Sequence, residues 1–400
     1  MIKHSKGWTV QRFGEVATIT GGKRLPRGEK LTPYNTGHPY IRVSDMNESG
    51  IDQAGLQFVP MGIVPLISRY RVNAGDLYFS VAGTIGLVGE VPPSLDGANL
   101  TENADRISNI RMHKQFLLQI LRSGIISLQT QSAITQNAQP KLALERLRKF
   151  EIPFPPLPEQ RKIAQILGTW DEAIATTEKL IATLERRKRG LMQRLLTGQV
   201  RFPGFVDAWK VMQLGEFLRY TPRKVKKPTT AYNRMGIRSH GKGTFTGMVE
   251  DPNSNAMDYL YVVKADDLIV NITFAWEQAI AIVAPEDEDA LVSHRFPTYT
   301  FRRNRVISEF FRYLMLTKRF LYQLDLITPG GAGRNRVMSK TDFLKLTVKV
   351  PSIAEQTLIG EALGSVDQNI KSRQLYLAAL REQKKGLMQR LLTGQVRVAG

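Results

Sequence analysis

A chain of 400 residues with 42% hydrophobic content is long enough for two or three domains with proper cores, so general disorder is excluded. Its 56 Lys and Arg against 36 Asp and Glu leave a net charge of +20, which favours a polyanionic partner, nucleic acid first and a membrane surface second. Zero cysteines exclude disulfides, thiol nucleophiles and thiolate metal sites. With no apolar run of about 18 residues and no charged-then-apolar leader, membrane insertion and secretion have no signal, and a cytoplasmic location is expected. The membrane surface is the weaker partner, because the positive charge is spread along both halves rather than gathered in one amphipathic block.

From the N-terminus, residues 8–150 mix short β-like runs with a helical stretch. Tyr40 to Val43 and Asp76 to Val81 read as strands and Lys114 to Leu121 as a helix, with the basic turn Gly21-Gly22-Lys23-Arg24 ahead of them. Pro153, Pro155, Pro156 and Pro158 then stop any helix before Glu159. From Ile163 the residues step by four and three through Leu167, Trp170, Ile174, Thr177, Ile181, Leu184, Lys188, Leu191 and Leu195. That is a heptad seam, stopped by Thr197-Gly198, and about 38 helical residues at 1.5 Å each make a rod of roughly 57 Å. Residues 209–345 resume the α/β mixture, with a strand over Asp267 to Ile272, a helix over Ser308 to Leu324, and basic loops at 223–227 and 330–336. After Pro351 a second seam follows: Ile359, Leu363, Val366, Ile370, Arg373, Leu377, Leu380, Lys384, Leu387 and Leu391, stopped by Thr393-Gly394.

The two seams are copies. GLMQRLLTGQVR occurs at 190–201 and again at 386–397, an offset of 386 − 190 = 196 residues, and 22 of the 43 paired positions from Glu159 onward are identical. Upstream only echoes survive, such as Trp8 with Gly14-Glu15 against Trp209 with Gly215-Glu216. Two long units rather than many short ones make a tandem duplication with a mechanical shared part and a divergent, specific part. A lone rod with one apolar stripe needs a partner, and its duplicate is the nearest. Antiparallel pairing then sets the two variable domains at opposite ends of a pseudo-twofold object; two independent helices, each capping its own domain, are the alternative. The expected fold is α/β (α+β): globular domains at 1–157 and 202–351, and long antiparallel coiled-coil helices at 158–201 and 352–400.

The order of parts, with Pro156-Leu-Pro-Glu-Gln-Arg-Lys-Ile-Ala164 leading into a helix that ends Leu-Leu-Thr-Gly-Gln-Val-Arg201, resembles the specificity subunit of type I restriction-modification systems. The turn Ala82-Gly83-Thr84-Ile85-Gly86, and Thr135-Gln136-Asn137 ahead of Glu151-Ile152-Pro153, are similar to that family's target recognition domains. The resemblance covers the whole chain. It implies that each recognition domain reads one half of a split site in double-stranded DNA, while the helices act as the ruler between the halves. It also implies docking of two methyltransferase subunits and, through them, restriction subunits. S-adenosylmethionine, ATP and Mg are then expected on those partners and no cofactor on this chain.

Direct readout needs Arg or Lys for guanine, Asn or Gln for adenine and hydroxyls elsewhere, on loops that reach a groove. In the first domain Lys23, Arg24, Arg42, Ser44, Ser80, Thr84, Gln136 and Asn137 fit that need. In the second, Arg223, Lys224, Lys226, Lys227, Arg238, Ser239, Thr273, Arg334, Asn335 and Arg336 do, with Trp276 as a stacking ring or a core residue. Lys23-Arg24 and the cluster from Lys224 to Lys227 suit phosphates, which give affinity without sequence information. For each of these residues a solvated basic surface is the plainer alternative.

Signs of catalysis fail one by one. Residues 236–243 nearly match a phosphate-cradling loop, but Gly243 stands where a Ser or Thr should hold the metal. The five histidines are scattered and make no metal-binding motif, so no metal site is expected. Glu382-Gln383-Lys384 lacks the preceding acidic pair of a nuclease and reads as coiled-coil surface. No Asn/Asp-Pro-Pro-aromatic segment is present, so methyl transfer must come from another polypeptide. Two other classes remain as alternatives: a scaffold that neutralises nucleic acid without sequence choice, and a self-contained DNA-modifying enzyme.

Overall fold

A computed structural model describes residues 7–134, 140–330 and 336–398. The chain divides into two compact units, one formed by residues 1–180 with 374–400 and the other by 181–373. Each long helix therefore contributes to both. The helices run Leu157–Leu195 and Ile353–Leu392, 39 and 40 residues, close to the length expected from the seams. The first begins two residues earlier than its prolines suggested. Pro158 lies in the first turn, where its missing N–H has no intrahelical partner to lose. Both helices end before a glycine in the left-handed region, Gly198 at φ +72° and Gly394 at φ +70°.

In the first unit, Thr9–Arg12 pairs antiparallel with Glu151–Phe154. A four-stranded antiparallel sheet follows in the order Thr18–Gly21, Ala104–Ser108, Leu77–Ser80, Val88–Glu90. A smaller sheet orders Gln57–Phe58, Pro39–Ile41 and Asn99–Leu100. Leu77–Ser80 is buried at every residue, as its continuous apolar run requires. Lys114–Leu121 is helical as expected, and a second helix, Gly124–Ala133, went unseen because its apolar moment is weak. The core joins Phe13, Ile19, Phe79 and Phe116 of the domain to Ile163 and Leu167 of the first long helix and Leu391 and Leu392 of the second.

The second unit repeats that plan. Lys210–Gln213 pairs with Thr347–Val350, and the four-stranded sheet runs Leu218–Tyr220, Thr298–Phe301, Leu268–Val270, Ile280–Ile282, with the same strand order as its counterpart. What differs is the insert, here a five-stranded sheet ending in the hairpin Tyr232–Ile237 with Thr244–Val249. The single helix expected over 308–324 is two, Ser308–Leu314 and Lys318–Leu326, because the Thr317 hydroxyl accepts from Phe320 N–H and starts the second. Phe311 packs with Phe217, Phe301 and Phe320 at ring-centroid distances of 5.6, 5.6 and 5.7 Å. This core takes in Leu195 of the first long helix and Ile359 and Leu363 of the second.

The repeated residues explain themselves within each unit. In the first, Glu159 is paired with Arg397, Asp171 with Lys384 and Glu178 with Arg381, so numbers rise along one helix as they fall along the other. In the second, Lys188 meets Asp367 at 2.6 Å and Arg201 meets Glu355 at 2.7 Å in the same sense. The helices are antiparallel in both places. Lys188 and Lys384, which interrupt the seams, each meet the aspartate of the other copy. Gln160 and Gln356 tie helix to domain: their Oε1 atoms accept from His113 N–H and Ile307 N–H, while their amides donate to Pro155 and Pro351 carbonyls.

Along the seams Ile163, Leu167, Leu184, Leu195, Ile359, Leu363, Ile370, Leu380 and Leu391 are buried. Trp170, Ile174, Ile181, Leu191, Val366, Leu377 and Leu387 are half-buried. Glu159 is itself buried. Burial raises its carboxyl pKa, but hydrogen bonds from Arg397 and Trp8 outweigh that and hold it below the usual range.

Candidate nucleic-acid interface

In the first unit, three loops converge at one end of the four-stranded sheet, opposite the end where residues 110–113 lead into the helix tied to Gln160. The loop at 21–24 is stitched down by Gly22 N–H to Ala104 O and Lys23 N–H to Leu100 O, at 3.0 and 2.8 Å. The turn at 81–87 closes on Ser80, whose buried hydroxyl donates to Thr84 O and accepts from Leu87 N–H. Gly83 and Gly86 take φ of +75° and +94° there, so the turn needs both glycines. The loop at 101–103 joins them, with Asn103 O accepting from Val81 N–H at 2.7 Å.

On this end Lys23, Arg24 and Thr84 are exposed. Arg24 is paired with Glu102 at 2.6 Å, which makes it a surface pair that a phosphate can compete for. Arg42 is committed to Asp45 through Nε and Nη2, with Nη2 also donating to Gly55 O. It shapes the strand end. Ser44 is exposed beside that pair, and Gln136 and Asn137 lie outside the described residues.

Beneath the loops Asp105 is 3% exposed and its Oδ2 has no hydrogen-bond partner among the described residues. Burial pushes its carboxyl up to about 7, against the pull of Lys141 and Arg148. The folded state then holds a proton that the unfolded chain releases near pH 4, so this group costs stability increasingly between about pH 4 and 7. Asp105→Asn is therefore expected to stabilise the protein more at pH 8 than at pH 5, read as the shift in midpoint temperature at each pH; an equal shift at both would contradict the raised pKa.

In the second unit the corresponding turn is 271–279, and Ile272 N–H donates to Arg295 O as Val81 does to Asn103 O. Thr273 is buried; its hydroxyl accepts from Arg295 Nη1 at 3.2 Å and its carbonyl from Trp276 Nε1 at 3.2 Å. Arg336 lies 5.0 Å over the Trp276 ring and is anchored to Asp325 at 2.6 Å. Trp276 is half-buried between this turn and the Arg336 guanidinium. Arg334 and Asn335 lie outside the described residues.

Arg223 forms a two-point pair with Asp267, which is 2% exposed, and so ties together the residues that lead into strands Lys224–Lys226 and Leu268–Val270. Lys224 sits 3.8 Å over the Tyr259 ring, Lys226 is exposed and Lys227 donates to Asn255 O. On the hairpin, Arg238 lies over Phe245 at 5.0 Å and Ser239 donates to Glu277 at 2.7 Å. The segment 236–243 that resembled a phosphate cradle is this hairpin's turn, with no helix after it. Two polar residues that sequence reasoning did not single out, Asn103 and Arg295, occupy equivalent stations beside these turns. Neither sits in a basic run or a glycine turn, and only strand register places them beside these loops.

Among the described residues, no group of three or more His, Asp or Glu side chains could hold a metal, and no helix is long and apolar enough to cross a membrane. Two sheet domains of one plan, each joined to antiparallel helices and each presenting polar loops, define a class of DNA specificity proteins. Residues 5–186 and 207–379 both match the family model of the type I restriction modification DNA specificity domain. The chain therefore belongs to the type I restriction-modification specificity subunit family, and as such is itself non-catalytic.

It is 24% identical to the type I restriction enzyme MjaVIII specificity subunit of Methanocaldococcus jannaschii, over 99% of this chain and 95% of that one. A second chain of that organism, described as the MjaX specificity subunit, is 26% identical over 98% and 94%. Among solved structures, the S subunit of the type I system of M. genitalium superposes with a TM-score of 0.58 at 15% identity, covering 98% of this chain and 97% of that one. A chain from a study of type I system assembly gives 0.55 at 18%, covering 98% and 100%. These two share the fold.

Proposed function

We propose that this subunit recognises a bipartite site in duplex DNA, with one half-site read by the loops of each recognition domain and the gap between them set by the long helices. The observation that carries this reading is the duplicated plan: two four-stranded sheets in the same strand order, each supporting loops whose sequences have diverged. Equal scaffolds with unequal loops suit two unlike half-sites. The same helices dock two methyltransferase subunits, which in turn carry the restriction subunits. S-adenosylmethionine, ATP and Mg act on those partners, and the assembly works in the cytoplasm. In this reading Lys23, Arg24, Lys224 and Lys226 supply phosphate contacts, while Thr84, Arg238 and Trp276 serve base edges, with Arg336 braced behind the Trp276 ring.

Methylome sequencing of cells with and without the chain, followed by binding of the assembled complex to duplexes scrambled in one half at a time, tests this. Scrambling either half is expected to cost orders of magnitude in affinity at physiological salt. Equal affinity for all scrambled duplexes would make the chain a non-specific scaffold. Methyl transfer by the chain alone would make it an enzyme in its own right.

A further inference from the structure

Two arginines of the second recognition domain that looked suited to base reading are held in ion pairs, Arg223 by buried Asp267 and Arg336 by Asp325, with Arg336 also donating to Thr328 O. Exposed Arg238 lies against the Phe245 ring and donates to Thr244 O within its own hairpin. Arg295 is held differently, at its backbone and its side chain together. It is exposed, and among the described residues it has no ion pair. It is nevertheless fixed: its N–H donates to Ser293 Oγ at 3.3 Å, its carbonyl accepts from Ile272 N–H at 3.0 Å, and its Nη1 donates to buried Thr273 Oγ1 at 3.2 Å. One of its five guanidinium donors is used, and it goes to Thr273, whose carbonyl also accepts from Trp276 Nε1. The equivalent turn of the first domain carries Asn103 at the same backbone station. Arginine suits guanine and asparagine suits adenine, so one structural place carries residue types matched to different bases in the two domains.

We propose that Arg295 is a specificity-determining residue of the second recognition domain, that it takes the O6 and N7 edge of a guanine in that domain's half-site, and that Thr273 positions it. This rests on the bipartite reading above. The bond to Thr273 orients the guanidinium fork, as two-point recognition of a guanine edge requires, and the asparagine at the equivalent station of the first domain favours a base edge over a phosphate as the target.

The test assembles Arg295→Ala, Arg295→Lys, Thr273→Val and Thr273→Ser with methyltransferase subunits. It measures methylated-site spectra, and competition binding by duplexes carrying each base at each position of both half-sites, over a range of salt. Both Arg295 variants are expected to lose guanine preference at one position of the second half-site, by about ten- to a hundredfold, with the first half-site unchanged. Thr273→Val is expected to relax the same position in part, and Thr273→Ser to retain the preference.

A uniform loss over all sequences, with the salt slope reduced by about one and restored by lysine, would reassign Arg295 to a phosphate and overturn the proposal. Unchanged preference in the Arg295 variants would overturn it as well. An effect of Thr273→Val at a different position, or none, would remove the positioning role. If the wild-type complex itself shows no two-part site, the underlying reading falls before Arg295 is tested.

Discussion

Gly22→Ala is expected to disable the first half-site while leaving the second intact, at a stability cost of about 2 kcal/mol. A Cβ on Gly22 would lie 2.0 Å from Thr101 O and 2.5 Å from Leu100 O. Both obstacles are backbone, so no rotamer change relieves them, and the loop must lift away. Lifting breaks the bonds from Gly22 N–H to Ala104 O and from Lys23 N–H to Leu100 O, and with them the seat of Tyr40 Oη on Lys23 O at 2.8 Å. It also carries Arg24 away from Glu102. Those lost bonds limit the cost, because the sheet behind the loop remains paired in its own register.

The neighbouring substitution is the control. A Cβ on Gly21 would come no closer than 3.6 Å to Asp105 Oδ1, an ordinary contact, so Gly21→Ala is expected to be tolerated. Half-site binding by both variants, with urea unfolding alongside, checks the pair. Equal behaviour of the two would mean that the loop's seat on 100–104 plays no part in reading.

What the sequence made legible follows from what repeats. Two copies of one seam showed the long helices, their ends and, through the single apolar stripe on each, their need for each other; that the interrupting Lys188 and Lys384 meet Asp367 and Asp171 came only with the structure. The buried strand Leu77–Ser80 and the helix Lys114–Leu121 were legible from plain apolar runs. The proposed reading face was less so. A basic residue in a sequence carries no mark of whether a carboxylate will meet it, and the pairing of Arg42 with Asp45 and of Arg223 with Asp267 emerged only from the fold. Asn103 and Arg295 were invisible for the converse reason: a station defined by strand register across a fold has no local pattern. The break at 315–317 was missed because Thr317 acts as a cap only once the chain turns there.

If the helices measure the gap, lengthening both of them must lengthen it. Four residues inserted after Leu180 and four after Arg373 fall where the two compact units divide, so the contacts within each unit, from Asp171–Lys384 in one to Lys188–Asp367 in the other, are left in place. Four residues add about 6 Å and turn each seam by only about 40°, so the inserted turns can continue the antiparallel packing. Along DNA about 6 Å is less than two base pairs, and each added pair also rotates the far half-site by roughly 35°. The double insertion is therefore expected to move methylation to sites with the same two half-sites and a gap one or two base pairs longer, with modification of the original sites largely lost. Insertion into one helix alone leaves its partner short and should cost stability without producing a clean new spacing. Methylome sequencing of cells carrying each variant distinguishes these outcomes. An unaltered gap in the double insertion would mean that spacing is set by the partner subunits or by the DNA, and that the helices hold the domains without measuring between them.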